Sequence, residues 1–210
     1  MAHDVRIDRT KLHPWLDHKL GLLLKECTKA DIDLIITEGF RTKEYQDKLY
    51  AKGRTAPGNI VTNAKGSTYS SQHMWGIAFD IAINKKGHTY DEAIIRKVAK
   101  IAKSKKVGLA WGGDWKSIVD TPHFYLKKWG STTSKLKSLY GTPSTFKKTW
   151  TKKVTGTKNG LNLWNTDKGI KKSKEKVPNG TKVKVMCKRG LYYKVKCKGK
   201  VGWMRAKHLK

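Results

Sequence analysis

Acidic side chains are scarce in this 210-residue chain: 16 Asp and Glu stand against 46 Lys and Arg, a formal charge of +30. A field this positive draws the chain towards polyanions such as nucleic acid, anionic lipid or wall teichoic acid. Long apolar runs are missing as well. No stretch approaches the ~20 residues a bilayer-spanning helix needs, so no transmembrane segment is expected. The opening residues His3-Asp4-Val5-Arg6-Ile7-Asp8 hold no apolar stretch that could act as a secretory signal. The expectation is a protein made in a host cytoplasm without a signal peptide. Cysteine is limited to Cys27, Cys187 and Cys197. Three thiols close no disulfide framework, and no Cys-x-x-Cys pair offers a zinc knuckle. If Arg189-Gly190 turns a hairpin, Cys187 faces Tyr192 and Cys197 lies roughly 15 Å further along, at ~3.3 Å per residue. Three reduced thiols are expected.

Hydrophobic residues nevertheless make up 38% of the chain, enough for a packed core. The charge is unevenly spread. Residues 1–150 carry 27 basic and 14 acidic side chains, whereas 151–210 carry 19 basic and 2 acidic. This shift predicts two domains, at 1–140 and 153–210. The Thr-, Ser- and Lys-rich stretch 141–152, with Pro143, reads as a linker.

In the first domain Leu12, Trp15, Leu16, Leu20, Leu23, Leu24 and Cys27 recur at helical spacing, up to about Ala30. A short strand at 33–37 and a helix carrying Tyr45 and Leu49 on one face follow, then a long loop over 53–70. Residues 76–83 read as a strand with Ile77, Phe79, Ile81 and Ile83 on one face and Ala78, Asp80 and Ala82 on the other. Thr89 to Glu92 fits a capping box before a helix with Ile94, Ile95 and Val98. Strands at 107–111 and 123–126, then a short helix within 131–140, complete an α+β domain with a small, mostly antiparallel sheet. Beyond the linker, short strands at 8–12-residue intervals predict a small all-β barrel or sandwich.

Of seven histidines, His3, His13, His18, His88 and His208 sit among charged or turn residues and read as surface groups. His73 and His123 keep different company. Asp80 stands among small residues, where a carboxylate would be costly to bury without a cation. Two imidazoles and one carboxylate make a ligand set for catalytic zinc, with a fourth position left to water. Asp120, three residues before His123, is in reach to take a proton from that water and pass it to a leaving amine. By spacing alone such a set also arises by chance.

The order Ser71-x-His73-x-x-Gly76-x-Ala78-x-Asp80, then Asp120-Thr121-Pro122-His123-Phe124, resembles the zinc peptidase family of vancomycin-resistance D-Ala-D-Ala carboxypeptidases and phage L-alanoyl-D-glutamate endopeptidases. Gly39-Phe40-Arg41-Thr42 with Tyr45-Gln46, and Trp111-Gly112-Gly113-Asp114-Trp115, resemble further segments of it, so the likeness runs over about residues 10–130. The resemblance implies zinc held by His73, Asp80 and His123, with Asp120 as general base and acid. It implies that Arg41 steadies a developing oxyanion or a substrate carboxylate, and that Ser71, Gln46, Trp111 and Asp114 line the substrate cleft. Each has a plainer reading: Arg41 and Asp114 as turn residues, Ser71 as a turn cap, Trp111 and Trp115 as core and cleft wall. Aspartate at position 120 favours the endopeptidase branch.

Residues 153–210 resemble a bacterial SH3-like module of the cell-wall-targeting kind, through Leu161-Asn162-Leu163-Trp164, Val177-Pro178-Asn179-Gly180, Tyr192-Tyr193-Lys194-Val195 and Val201-Gly202-Trp203-Met204. The resemblance implies wall contact by Trp164, Tyr192, Tyr193 and Trp203. The expected protein is a monomeric, bacteriolytic peptidoglycan hydrolase of the endolysin type, binding peptidoglycan and an anionic wall polymer. The rivals are a D-Ala-D-Ala carboxypeptidase and a non-catalytic cationic wall binder. No helix-turn-helix or aromatic RNA motif supports specific nucleic-acid binding.

Overall fold

The computed structural model describes residues 3–167, 169 and 175–210. Two compact units divide the chain, Met1–Phe146 and Lys147–Lys210. Among the described residues no helix is long and apolar enough to cross a membrane.

In the first unit, helix α1 (Pro14–Lys29) opens with Pro at its first position, where a missing N–H costs nothing. It buries Leu16, Leu20, Leu23 and Cys27 against the core. Strands β1 (Asp4–Val5), β2 (Leu34–Glu38), β3 (Ala78–Ile83), β4 (Ala110–Trp111) and β5 (His123–Tyr125) form one sheet in the order β1-β2-β3-β5-β4. The β1–β2 pair is parallel and the other pairs are antiparallel. Helix α2 (Lys43–Ala51) follows β2, and α3 (Glu92–Lys103) packs Ile95, Val98, Ala99 and Ala102 inward. Helix α4 (Ser134–Tyr140) contributes Leu136 to the interior.

Two registers decide what the sheet can do. Asp80 of β3 lies directly opposite His123 of β5, and Glu38 of β2 lies opposite Asp80 on the other side. Directly opposed residues bring their Cβ atoms to within ~4.5–5.5 Å. A bulge between Ile36 and Glu38 shifts the β2 register just there. The next pair, Phe79 and Phe124, stacks at 5.9 Å and anchors the register from the core side.

Several local expectations change. The buried residue of α2 is Gln46, while Tyr45 is exposed. The N-cap of α3 is Asp91, whose carboxylate accepts from Ile94 N, so the Thr89 capping box is not formed. His13, expected on the surface, is buried: its ring stacks on Phe146 and meets Trp129 edge-on, and Nδ1 accepts the N–H of Trp15 as the α1 cap.

The second unit is all-β. Helix α5 (Pro143–Lys148) and strand β6 (Thr151–Lys153) occupy the stretch read as a linker, and the division between units falls inside α5. Phe146 and Trp150 are buried, and such side chains cannot stay in an open tether. Strands β9 (Lys182–Arg189), β10 (Tyr192–Cys197) and β11 (Lys200–Arg205) join β6 in a sheet ordered β11-β10-β9-β6. Strands β7 (Leu161–Leu163) and β8 (Glu175–Val177) make a separate pair, so the described strands do not form the closed barrel expected. An isolated bridge joins Trp164 to Trp203. The β9–β10 turn is Gly190-Leu191, one residue later than expected, which sets Cys187 opposite Lys194. All three cysteines are free.

Burial of His13, helped by the charge of Lys128, pushes its pKa down from 6.5 to about 3. His13 therefore stays neutral in the fold while the unfolded chain takes up a proton below pH ~6.5. Its contribution to stability is complete above that pH and is lost as pH falls towards 3. About 2 kcal/mol is expected to be gone at pH 5. His13→Asn, which keeps a capping oxygen, should show a smaller drop in melting temperature between pH 7 and pH 5 than the wild type. An equal drop would contradict this account.

Candidate metal centre

His73, Asp80 and His123 come together at one end of the β3–β5 ladder. The β3–β5 register sets Asp80 beside His123, and a short 3-10 helix, Gln72–Trp75, delivers His73. That turn ends at Gly76 with φ 63°, a left-handed conformation that suits glycine. Asp80 Oδ1 lies 2.9 Å from His123 Nδ1 and 3.2 Å from His73 Nε2. The two imidazole nitrogens are 3.2 Å apart.

The outer ring nitrogens decide the chemistry of the inner ones. His73 Nδ1 lies 2.7 Å from the Gly39 carbonyl oxygen, which can only accept. His123 Nε2 lies 2.8 Å from Gln72 Oε1. Each ring therefore donates outward, and in the neutral tautomers two lone pairs and a carboxylate oxygen face one another. Such a triangle is repulsive until a positive charge sits in it. Three ligands of a tetrahedral zinc ion, each at about 2.0–2.1 Å, lie about 3.3–3.4 Å from one another. The observed edges are close to that, so these side chains fit a zinc ion with one position open. Among the described residues this is the group of three that could hold a metal.

The surrounding charges agree. Burial opposes ionisation of Asp80, yet positive charge and donated protons at His73 and His123 outweigh it and hold the carboxyl well below the usual range, the same response that a cation in the triangle would produce. Arg41 Nη2 approaches the other oxygen, Oδ2, at 3.5 Å, leaving Oδ1 to the imidazoles. Arg41 Nε lies 3.1 Å from Glu38 Oε2, close enough for an ion pair though off line for a hydrogen bond.

The centre forms the floor of a cleft of about 830 Å³. Arg41, Ser71 and Asp120 line it together with the three ligand residues. Burial pushes the Asp120 carboxyl above its ordinary value, and the nearby Asp80 charge adds to this against His123, His73 and Arg41. Asp120 is brought in by a tight turn. A Cβ on Gly112 would lie 2.5 Å from the Asp120 carbonyl oxygen and 3.0 Å from His123 Cβ, so only glycine allows this approach. Ser71 stands at the N-cap position of the 3-10 helix without a side-chain cap bond, so its hydroxyl remains for the cleft.

The family model described as D-alanyl-D-alanine carboxypeptidase matches residues 64–126, which hold His73, Asp80, Asp120 and His123. The peptidoglycan L-alanyl-D-glutamate endopeptidase CwlK of Bacillus subtilis is 40% identical over 123 residues, covering 53% of this chain and 71% of that protein. The chain belongs to this peptidase family. The L-alanyl-D-glutamate peptidase of Listeria phage A118 is 37% identical over 107 residues, which are 49% of this chain and 34% of the phage protein. The solved L-Ala D-Glu endopeptidase ChiX of Serratia marcescens overlays with a TM-score of 0.44 at 22% identity, over 57% of this chain and 83% of that one.

Three residues expected to line the peptidase cleft do other work. Gln46 is fully buried below it. Its amide nitrogen donates to Thr62 Oγ1 and the Ala64 carbonyl, and its oxygen accepts from Arg41 Nη1 at 3.4 Å. Trp111 is buried too, and its indole N–H donates to the Thr121 carbonyl at 2.7 Å, closing the turn that carries Asp120. Asp114 pairs with Lys103 at the surface and does not line the cleft. Trp115, read as a wall, is one: its ring lies 5.1 Å from His123 and it lines the cavity. Sequence reading missed Gln72, hidden as a spacer within the motif, and the exposed Ile60, Val61 and Ile118 along the cleft.

The peptidase purified without chelator is expected to carry close to one zinc per chain by elemental analysis, and Asp80→Asn close to none. Equal zinc content in both would disqualify this triangle as the metal centre.

Proposed function

We propose that this peptidase cleaves the bond between L-alanine and D-glutamate in the peptidoglycan stem peptide. The observation that carries this reading is the His73–Asp80–His123 triangle lining one cleft with Asp120, in a chain 40% identical over 123 residues to an L-alanyl-D-glutamate endopeptidase. When bound, zinc supplies Lewis acidity to the scissile carbonyl and a coordination position for water. Asp120 accepts the proton of the attacking water on its carboxylate and returns it to the departing amine of D-glutamate. A carboxyl raised by burial is suited to both halves of that transfer. Arg41, held by Glu38, Asp80 and Gln46, presents a fixed positive charge where negative charge develops.

The substrate's own charge gives the cleft a direction. D-Glutamate brings carboxylate into a cleft whose lining cations are Arg41 and Lys137. Arg41 is occupied by two carboxylates, whereas Lys137 Nζ has the Thr68 carbonyl and Ser70 Oγ at 3.5 Å. Lys137, among the hydroxyls of Ser131, Thr132 and Ser134, is the counter-charge for the acidic residue. The exposed Ile60, Val61 and Ile118 take apolar parts of the stem.

The second unit serves as an SH3-like wall-binding module in this reading. Its support is the excess of 19 basic over 2 acidic side chains in residues 151–210, which suits an anionic wall polymer. Trp164, Tyr192 and Tyr193 keep exposed surface for that contact, whereas Trp203 is 9% exposed and mostly fills the interior. The protein acts at the cell wall, in the manner of a phage endolysin.

Digestion of purified peptidoglycan should release new N-termini on D-glutamate, and chelation or Asp120→Asn should abolish them. Free D-alanine in their place would overturn the endopeptidase reading in favour of a carboxypeptidase. Lys137→Met should raise KM about three- to fivefold for stems with a free D-glutamate α-carboxylate. Stems amidated at that carboxylate should be little affected. Equal changes for both stems would remove Lys137 from substrate recognition.

A further inference from the structure

We propose that Gln72 is a positioning residue for the metal centre: its amide fixes the tautomer of His123 so that Nδ1 faces the ion as a bare lone pair. The inference rests on the metal reading above. Gln72 is buried at 5% exposure, and both ends of its amide are engaged. Its Nε2 donates to the Gly130 carbonyl at 3.1 Å. A carbonyl cannot donate, so the amide cannot be turned round without setting two acceptors against each other. Oε1 is thereby left pointing at His123 Nε2, 2.8 Å away, and as an acceptor it requires that nitrogen to carry the proton. In the neutral ring Nδ1 is then unprotonated, at 2.9 Å from Asp80 Oδ1 and 3.2 Å from His73 Nε2.

The two histidines are served differently. His73 is fixed by a backbone carbonyl, that of Gly39, which no substitution of a side chain removes. His123 depends on a side chain from a different element, the 3-10 helix that also carries His73. Without that acceptor the neutral His123 ring is free to carry its proton on Nδ1, where it would point into the ligand triangle and displace the ion. A partner that orients a metal-bound histidine through its other ring nitrogen typically changes metal affinity 10–100-fold when lost.

Two substitutions in the full-length protein separate positioning from packing. Gln72→Leu keeps much of the volume and removes the acceptor. Gln72→Glu keeps an acceptor for His123 but cannot donate to Gly130. Zinc affinity is read by competition with a chromophoric chelator, with melting temperatures of the metal-free proteins recorded alongside. The tautomer of His123 is read in the metal-free proteins from ¹⁵N chemical shifts of the imidazole. Gln72→Leu is expected to bind zinc about 10–100-fold more weakly and to populate the Nδ1–H tautomer. Gln72→Glu is expected to stay within about threefold of wild type and to keep the Nε2–H tautomer. The inference is overturned if Gln72→Leu binds zinc as tightly as wild type, or if Gln72→Glu is as weak as Gln72→Leu. Wild-type protein with no zinc affinity would instead overturn the metal reading, and this inference with it.

Discussion

Two imidazole nitrogens and a carboxylate oxygen stand 2.9–3.2 Å apart, with both rings donating their outer protons elsewhere. The mutual repulsion of those lone pairs suits the triangle to a cation. The surroundings of the triangle follow from the need to hold it together in a partly dry place. Arg41 takes the second oxygen of Asp80, Gln46 holds Arg41 through its amide oxygen, and Gly112 leaves room for the Asp120 backbone and the His123 side chain.

The sheet makes that arrangement possible at little conformational cost. Asp80 and His123 are cross-strand neighbours, so their separation is a property of the ladder and not of a loop. Phe79 and Phe124, one step along, pack into the core and resist any slip in register. A one-residue slip would turn the functional pair and the aromatic pair to the wrong faces together. Core packing and the Asp80–His123 spacing are thus set by one short stretch of antiparallel sheet. His73 and Asp120 arrive on turns, where strict backbone demands are met by Gly76 and Gly112.

Much of this could be read from residue order. The apolar periodicity of 12–27 marks α1, the alternation over 77–83 marks β3, and the family-like spacing of Ser71, His73, Asp80, Asp120 and His123 marks the site. What escaped was whatever depends on the far side of a contact. His13 looks like any surface histidine in sequence, because the Phe146 and Trp129 that bury it lie more than a hundred residues away. Gln46 and Trp111 sit in segments that resemble the family's, but their side chains face inward and hold backbone carbonyls of other loops. Phe146 and Trp150 lie in a stretch whose Thr, Ser and Lys content suggests an open tether, and the burial of two large rings overrides that composition.

The sequence by itself determined which atoms are available: two imidazoles and a lone carboxylate in a family-like order, an aspartate two residues before a proline, and a strongly basic stretch over 151–210. It determined the local elements too, since helical and strand periodicities need only near neighbours. Tertiary structure alone decided which nitrogen of each imidazole faces the triangle, which cation of the cleft pairs with Glu38 and Asp80, and which glutamine contacts His123. Those outcomes turn on register and on hydrogen bonds between segments tens of residues apart, and such distances are written only when the chain closes on itself.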